Sequence, residues 1–128
     1  MDSNNRNLFE SACLKNEDMT IIIGPATISG WPTINEFFDK VFALTTTHIT
    51  SNIRVELEDG ADTAKMTAHA LSYHARTEDA VKMENTSYTV GSLYDIDLVR
   101  DGGDGLWKIK RWELKSQWTT GDKAVLHG

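Results

Sequence analysis

The sequence predicts an α+β fold: a cone-shaped, strongly curved antiparallel sheet with helices packed in its concavity. Three observations predict it. Ile34, Phe37, Phe38, Val41 and Phe42 recur at helical spacing and form one apolar stripe, opened by Thr33 and Glu36 at capping-box spacing. Two pairs of alternating segments flank strong turn signals: residues 48–58 and 61–76 flank Asp59-Gly60, and residues 86–100 and 106–119 flank DGGDG. Each pair is an expected hairpin, because Gly supplies the positive φ that a tight turn needs. The four arms run 11 to 16 residues, where globular strands usually have about 5 or 6. Strands that long twist and coil, so a bent sheet wrapped around the helix buries the stripe economically.

Ahead of that helix, residues 7–16, NLFESACLKN, predict a short helix with Leu8, Phe9, Ala12 and Cys13 on one side. Met19–Ile23 is rich in β-branched residues and reads as an extended segment, stopped by Gly24-Pro25. A chain of 128 residues is expected to form a single domain, residues 1–128, with a real core. No apolar run approaches the roughly 18 residues of a membrane span. The start MDSNNRNLFE lacks the basic-then-apolar pattern of a secretory signal, so the expected location is cytoplasmic. The lone Cys13 has no partner for a disulfide or a thiolate metal site and is expected to be a small buried hydrophobe. A net charge of −6 argues against nucleic acid, whose binding depends on neutralising phosphates. Lys108, Lys110, Arg111 and Lys115 alternate with Trp and Leu as a strand face would.

A bent sheet closed by a helix leaves a cone whose wide end suits a small-molecule ligand. The ordered segments ISGWPTINEFF, THITSN, LEDGADTAKMTAHALSYH, GSLYDIDLVRDGGDGLWKIKR and QWTTGD, from residue 28 to residue 122, resemble the SnoaL-like family of the NTF2-like superfamily. That family has the α+β barrel fold of polyketide cyclases, scytalone dehydratase and bile-acid dehydratases. The resemblance implies a cofactor-free pocket enzyme with a histidine at the start of its first long strand, and homodimers formed through the sheet. In the family a long first helix often carries a Tyr and an Asp that work with this histidine. Here the residues ahead of Met19 contain no Tyr, and Glu17 and Asp18 are the nearby acids, neither matching that motif. A shortened N-terminus is expected to leave a reduced catalytic set, a pocket completed by a partner subunit, or no catalysis.

His48 matches the family's pocket histidine. Imidazole exchanges its proton near neutral pH and serves as a general base; the alternative is a strand-end histidine bonded to a backbone carbonyl. Strict alternation puts Ala64, Met66, Ala68, Ala70, Ser72 and His74 on one face and His69 on the other. The first set is small and apolar enough for the inside of the cone, so His74 is the second pocket candidate, an acid partner for His48. Tyr94 shares a face with Tyr88, Ile96 and Leu98; its phenol either serves an oxyanion or belongs to the core. Arg111 shares parity with Trp107 and Ile109, and on a core face it needs an acid, a ligand carboxylate or an enolate as partner. The resemblance also implies an arginine near this point of the last strand. Asn52 is either a donor to a substrate carbonyl or a bulge residue bonded to nearby backbone. Phe38, Met66, Tyr88 and Trp107 complete the expected substrate-binding set with Asn52. Trp112 and Leu114, among lysines, are expected on the outer sheet face as the seat of a homodimer.

The expected function is a cofactor-independent isomerase, cyclase or dehydratase. It would act by general acid–base catalysis on a hydrophobic polyketide- or terpenoid-type intermediate of secondary metabolism, with His48, His74, Tyr94 and Arg111 catalytic. No glycine-rich phosphate loop precedes a helix, and the histidines find no third metal ligand at convincing spacing, so no metal or other cofactor is expected. The alternative is a non-catalytic ligand-binding or assembly subunit of the same fold.

Overall fold

The computed structural model describes residues 1–128, which form α1 (Arg6–Ser11), β1 (Thr20–Ile23), β2 (Ala26–Ser29), α2 (Trp31–Phe42), β3 (Leu44–Glu56), β4 (Thr63–Arg76), β5 (Ser87–Arg100), β6 (Trp107–Gly121) and α3 (Ala124–His127). Asn5 caps α1 by accepting the Leu8 N–H at 3.0 Å. The helix stops at Ser11, well before residue 16, because the chain beyond it turns to backbone pairing with β6. The Ile109 N–H donates to Ala12 O and the Leu14 N–H to Ile109 O, leaving Cys13 buried in an isolated bridge to Ile109. Phe9 of α1 packs on Phe38 and Phe42 of α2, with ring centroids 4.5 and 5.5 Å apart.

Helix α2 starts earlier than the capping pattern predicts. Pro32 in its first turn has a fixed helical φ and no N–H to cap, and Gly30, at φ +85°, is the N-cap with no side-chain bond. Thr33 and Glu36 therefore lie inside the helix, and the expected capping box does not form. The apolar stripe holds: Ile34, Phe38 and Val41 are buried against Met19, Ile21, Ala68, Ala70, Ile96 and Trp112.

The six strands run in the order β2-β1-β6-β5-β4-β3. Both expected hairpins form, β3–β4 and β5–β6. The sheet is mixed, because β1 lies parallel to β6 after a short antiparallel hairpin with β2. It curls around α2 but does not close into a barrel: β2 and β3 remain its edges.

Face assignment depends on bulges. Strand β4 keeps its alternation, and Ala64, Ala68, Ala70, Ser72 and His74 are buried on the concave side. Strand β6 does not. Its register against β5 slips between Asp97 and Leu98 and again between Gly91 and Ser92, so two β6 residues oppose one position and the faces exchange. Trp112 and Leu114 consequently point into the core, and Arg111, Glu113 and Lys115 point outward. This overturns the parity that grouped Arg111 with Ile109, and it removes Trp112 and Leu114 from the outer face. The exposed apolar row there is instead Ile49, Leu71 and Trp118, which the register aligns across the sheet, with Trp118 lying over Gly91. No helix is long and apolar enough to cross a membrane.

Candidate active site

The concave face encloses a cavity of about 620 Å³. Its floor is the inner face of β4–β6, its roof Phe37 and Phe38 of α2 with Ile21 and Ile28 of the β1–β2 hairpin, and one end is formed by α3. Strand register places the histidines. His48 pairs with Ser72 and Thr46 with His74, so His48 and His74 occupy neighbouring inner positions. Their ring centroids lie 5.8 Å apart with the planes nearly perpendicular, and both rings line the cavity.

An acid from the start of the chain completes the first of them. Asp2 Oδ1 lies 2.6 Å from His48 Nδ1, and Oδ2 accepts the His48 backbone N–H at 2.6 Å. Thr46 Oγ1 donates to Oδ1 at 2.9 Å. Burial pushes the Asp2 carboxyl up, but the bonds from the His48 ring, the His48 backbone and Thr46 outweigh it and hold the group below its ordinary 3.8. An ionised carboxylate accepts, so Nδ1 carries the shared proton, and in the neutral form of the ring Nε2 is the acceptor. This is the orienting role an acid plays behind a catalytic imidazole. Glu17 and Asp18, which do not match the family's motif, are exposed. Sequence reasoning misses Asp2 because the pairing spans 46 positions; no local spacing carries it.

His74 is buried, and its Nδ1–H donates to Tyr88 O at 3.0 Å. Burial lowers its pKa below the ordinary 6.5, the Tyr88 carbonyl opposes, and His48 and His127 add to the lowering. At neutral pH it is thus an uncharged imidazole with Nε2 as an acceptor, which is not the proton-donating partner expected. Tyr94 is buried in the cavity wall, its ring edge-on to Trp112 with centroids 5.2 Å apart. Burial raises its pKa against a bond with Ser72, so the phenol keeps its proton and remains a donor. Trp112 Nε1 is buried in the same wall with no hydrogen-bond partner.

Phe38 and Tyr88 line the cavity as expected. Four other candidates do not. Arg111 is on the convex face, bonded to Asp95, Asp97 and Glu113. Asn52 occupies the β3 bulge at φ +52°, its Nδ2 3.5 Å from His69 Nδ1 in an outer groove. Met66 packs against the core outside the cavity lining, and Trp107 stacks under the Arg100 guanidinium, 5.0 Å from the ring centroid. A residue not anticipated, His127 of α3, lines the cavity 5.9 Å from the Tyr88 ring centroid. No group of three or more His, Cys, Asp or Glu is placed to hold a metal ion.

Comparison with known proteins agrees with this architecture. Residues 1–113 match the family described as the SnoaL-like domain. The chain is 35% identical over 119 residues to the terrestric acid biosynthesis cluster protein E of Penicillium crustosum, covering 92% of this chain and 74% of that protein. A protein provisionally named a scytalone dehydratase, from Novosphingobium aromaticivorans, superposes with a TM-score of 0.76 at 22% identity, covering 94% of this chain and 76% of that one. The LinA-type3 hexachlorocyclohexane dehydrochlorinase of Novosphingobium barchaimii gives 0.69 at 18% identity, with 95% and 80% covered. An NTF2-like superfamily protein of Salmonella enterica gives 0.73 at 12% identity, with 95% and 84% covered. At these identities the solved structures share the fold.

Proposed function

The chain belongs to the SnoaL-like family, and from that premise we propose that it is a cofactor-independent enzyme of secondary metabolism that removes a proton next to a carbonyl. The substrate would be a hydrophobic polyketide- or terpenoid-type intermediate. The observation that carries this reading is the Asp2–His48 pair, whose free Nε2 belongs to a ring lining a mostly apolar cavity. The homologue from a biosynthesis cluster supports secondary metabolism as the setting.

In the proposed reaction His48 Nε2 takes the proton, and the C–H electron pair moves to the carbonyl oxygen as an enolate. Asp2 stabilises the imidazolium that results, and Tyr94 donates to the developing oxyanion. A preorganised donor of this kind contributes about 3–4 kcal/mol to transition-state stabilisation. His74 Nε2 accepts from a substrate hydroxyl and so orients it. The imidazolium then returns its proton to another carbon, giving isomerisation, or to a departing hydroxyl, giving loss of water; in cyclisation the enolate carbon attacks a second carbonyl of the substrate, whose π electrons pass to its oxygen, and that oxygen takes the imidazolium's proton.

The test is hydrogen–deuterium exchange at the α-carbon of 2-tetralone in deuterated buffer, followed by NMR. The protein is expected to accelerate exchange over buffer, and His48→Gln to lose about 10²-fold or more of that acceleration. Wild-type exchange no faster than buffer would favour a non-catalytic binding subunit.

We also propose that the chain forms a homodimer through its convex face, seated on Ile49, Leu71 and Trp118. Sedimentation should report a dimer that Leu71→Lys converts to a monomer; a wild-type monomer would contradict it.

A further inference from the structure

We propose that the substrate carries an anionic group, a carboxylate or an acidic enolate, and that Lys123 and His127 at the α3 end of the cavity bind it. The proposal rests on the proton-abstraction reading above and specifies which other groups of the same pocket hold the substrate.

Three observations point to it. None of the chain's 19 Asp and Glu residues lines the cavity, although the chain as a whole is acidic. Three of its 4 histidines line it, together with Lys123. The lining therefore holds one lysine and three imidazoles and no carboxylate, whereas the chain as a whole carries a net negative charge. Asp2 touches only the back of His48, where the His48 ring and backbone and the Thr46 hydroxyl occupy it.

The second observation is the layout of the rings. His48, His74, Tyr88 and His127 form a row of rings with successive centroids 5.8, 6.0 and 5.9 Å apart. His48, with its acid, begins the row and His127 ends it. His74 is engaged by the Tyr88 carbonyl through Nδ1. His74 and Tyr88 thus stand between His48 and His127 in this chain of ring contacts, and one molecule in the cavity can meet both histidines.

The third is the local field. Burial lowers the His127 pKa, and the only charged groups that add to the shift are the two lysines, Lys123 and Lys40. Neither lysine forms an ion pair, whereas Lys65, Lys82, Lys108 and Lys115 each do. A substrate anion at this end would meet an uncompensated ammonium and an imidazole N–H, and charge-assisted bonds of that kind are the strong ones.

The test is calorimetric titration with 1-naphthaleneacetate and its neutral counterpart 1-naphthaleneacetamide. The carboxylate is expected to bind about tenfold tighter or more, the difference a charged hydrogen bond provides. The double substitution Lys123→Met with His127→Gln should abolish that preference, while His48→Gln should keep it. Because both positions are exposed on α3 and its N-cap, far-UV circular dichroism should report an intact fold. Equal binding of the two probes, a preference that survives the double substitution, or binding of neither probe would overturn the proposal. The 2-tetralone exchange needs no anion, so its loss in His48→Gln reports on the base independently of the anion site.

Discussion

Arg111 Nε donates to Asp97 Oδ2 at 2.8 Å, and its Nη2 reaches Asp95 Oδ1 at the same distance. With Glu113 also in contact, the guanidinium is compensated on the convex face, and the sheet separates it from the cavity. It has no route to an enolate. Arg111→Gln is therefore expected to leave α-proton exchange unchanged and to cost about 1 kcal/mol or less in stability, as partly exposed pairs do. Exchange rates and urea denaturation measured side by side check both halves.

Gly121 ends β6 at φ +94°, and a Cβ there would collide with the Ser87 carbonyl. The same carbonyl accepts the Asp122 N–H at 2.8 Å, which fixes the direction in which α3 leaves the sheet. Gly121→Ala should cost about 2 kcal/mol or more through overpacking and a strained backbone. Gly60 also has positive φ, +77°, but open space around it, so Gly60→Ala should cost only about 1 kcal/mol. Equal losses in chemical denaturation would show that the close approach to Ser87 is unimportant.

His74 links stability to pH. Burial holds its pKa in the folded protein below 6.5, so the unfolded chain binds a proton that the folded one refuses. Its contribution is complete above 6.5 and is lost as pH falls below that toward the lower folded value. His127, also lowered first by burial, acts in the same direction. Asp2 acts later: its stabilisation is present above 3.8 and lost as pH falls through its depressed value. Thermal unfolding across this range should show a slope below pH 6.5 that His74→Gln flattens.

Much of the frame is legible in the sequence because it rests on local chemistry. The Asp59-Gly60 and DGGDG turns form where their glycines predict, and the α2 stripe buries Ile34, Phe38 and Val41. The unbroken alternation of β4 places His74 inside, and the resemblance places His48. Bulges are not legible: no residue in WKIKRWELK announces the slip that sends Arg111 outward and Trp112 inward. The pairing of Asp2 with His48 and the return of α3 over the cavity are tertiary contacts between distant segments. They follow from how the sheet curls, which hydrophobic periodicity does not encode. His127 could be suspected only from its chemistry, as one of 4 histidines.

The central claim is that Asp2 and His48 act as one unit, and a double-mutant comparison tests it most directly. In the 2-tetralone exchange assay, Asp2→Asn should slow the reaction about 10-fold or more, as loss of an orienting partner does. Added to His48→Gln, it should slow the reaction no further. Losses that multiply in the double variant, or an Asp2→Asn protein as fast as wild type, would contradict the account.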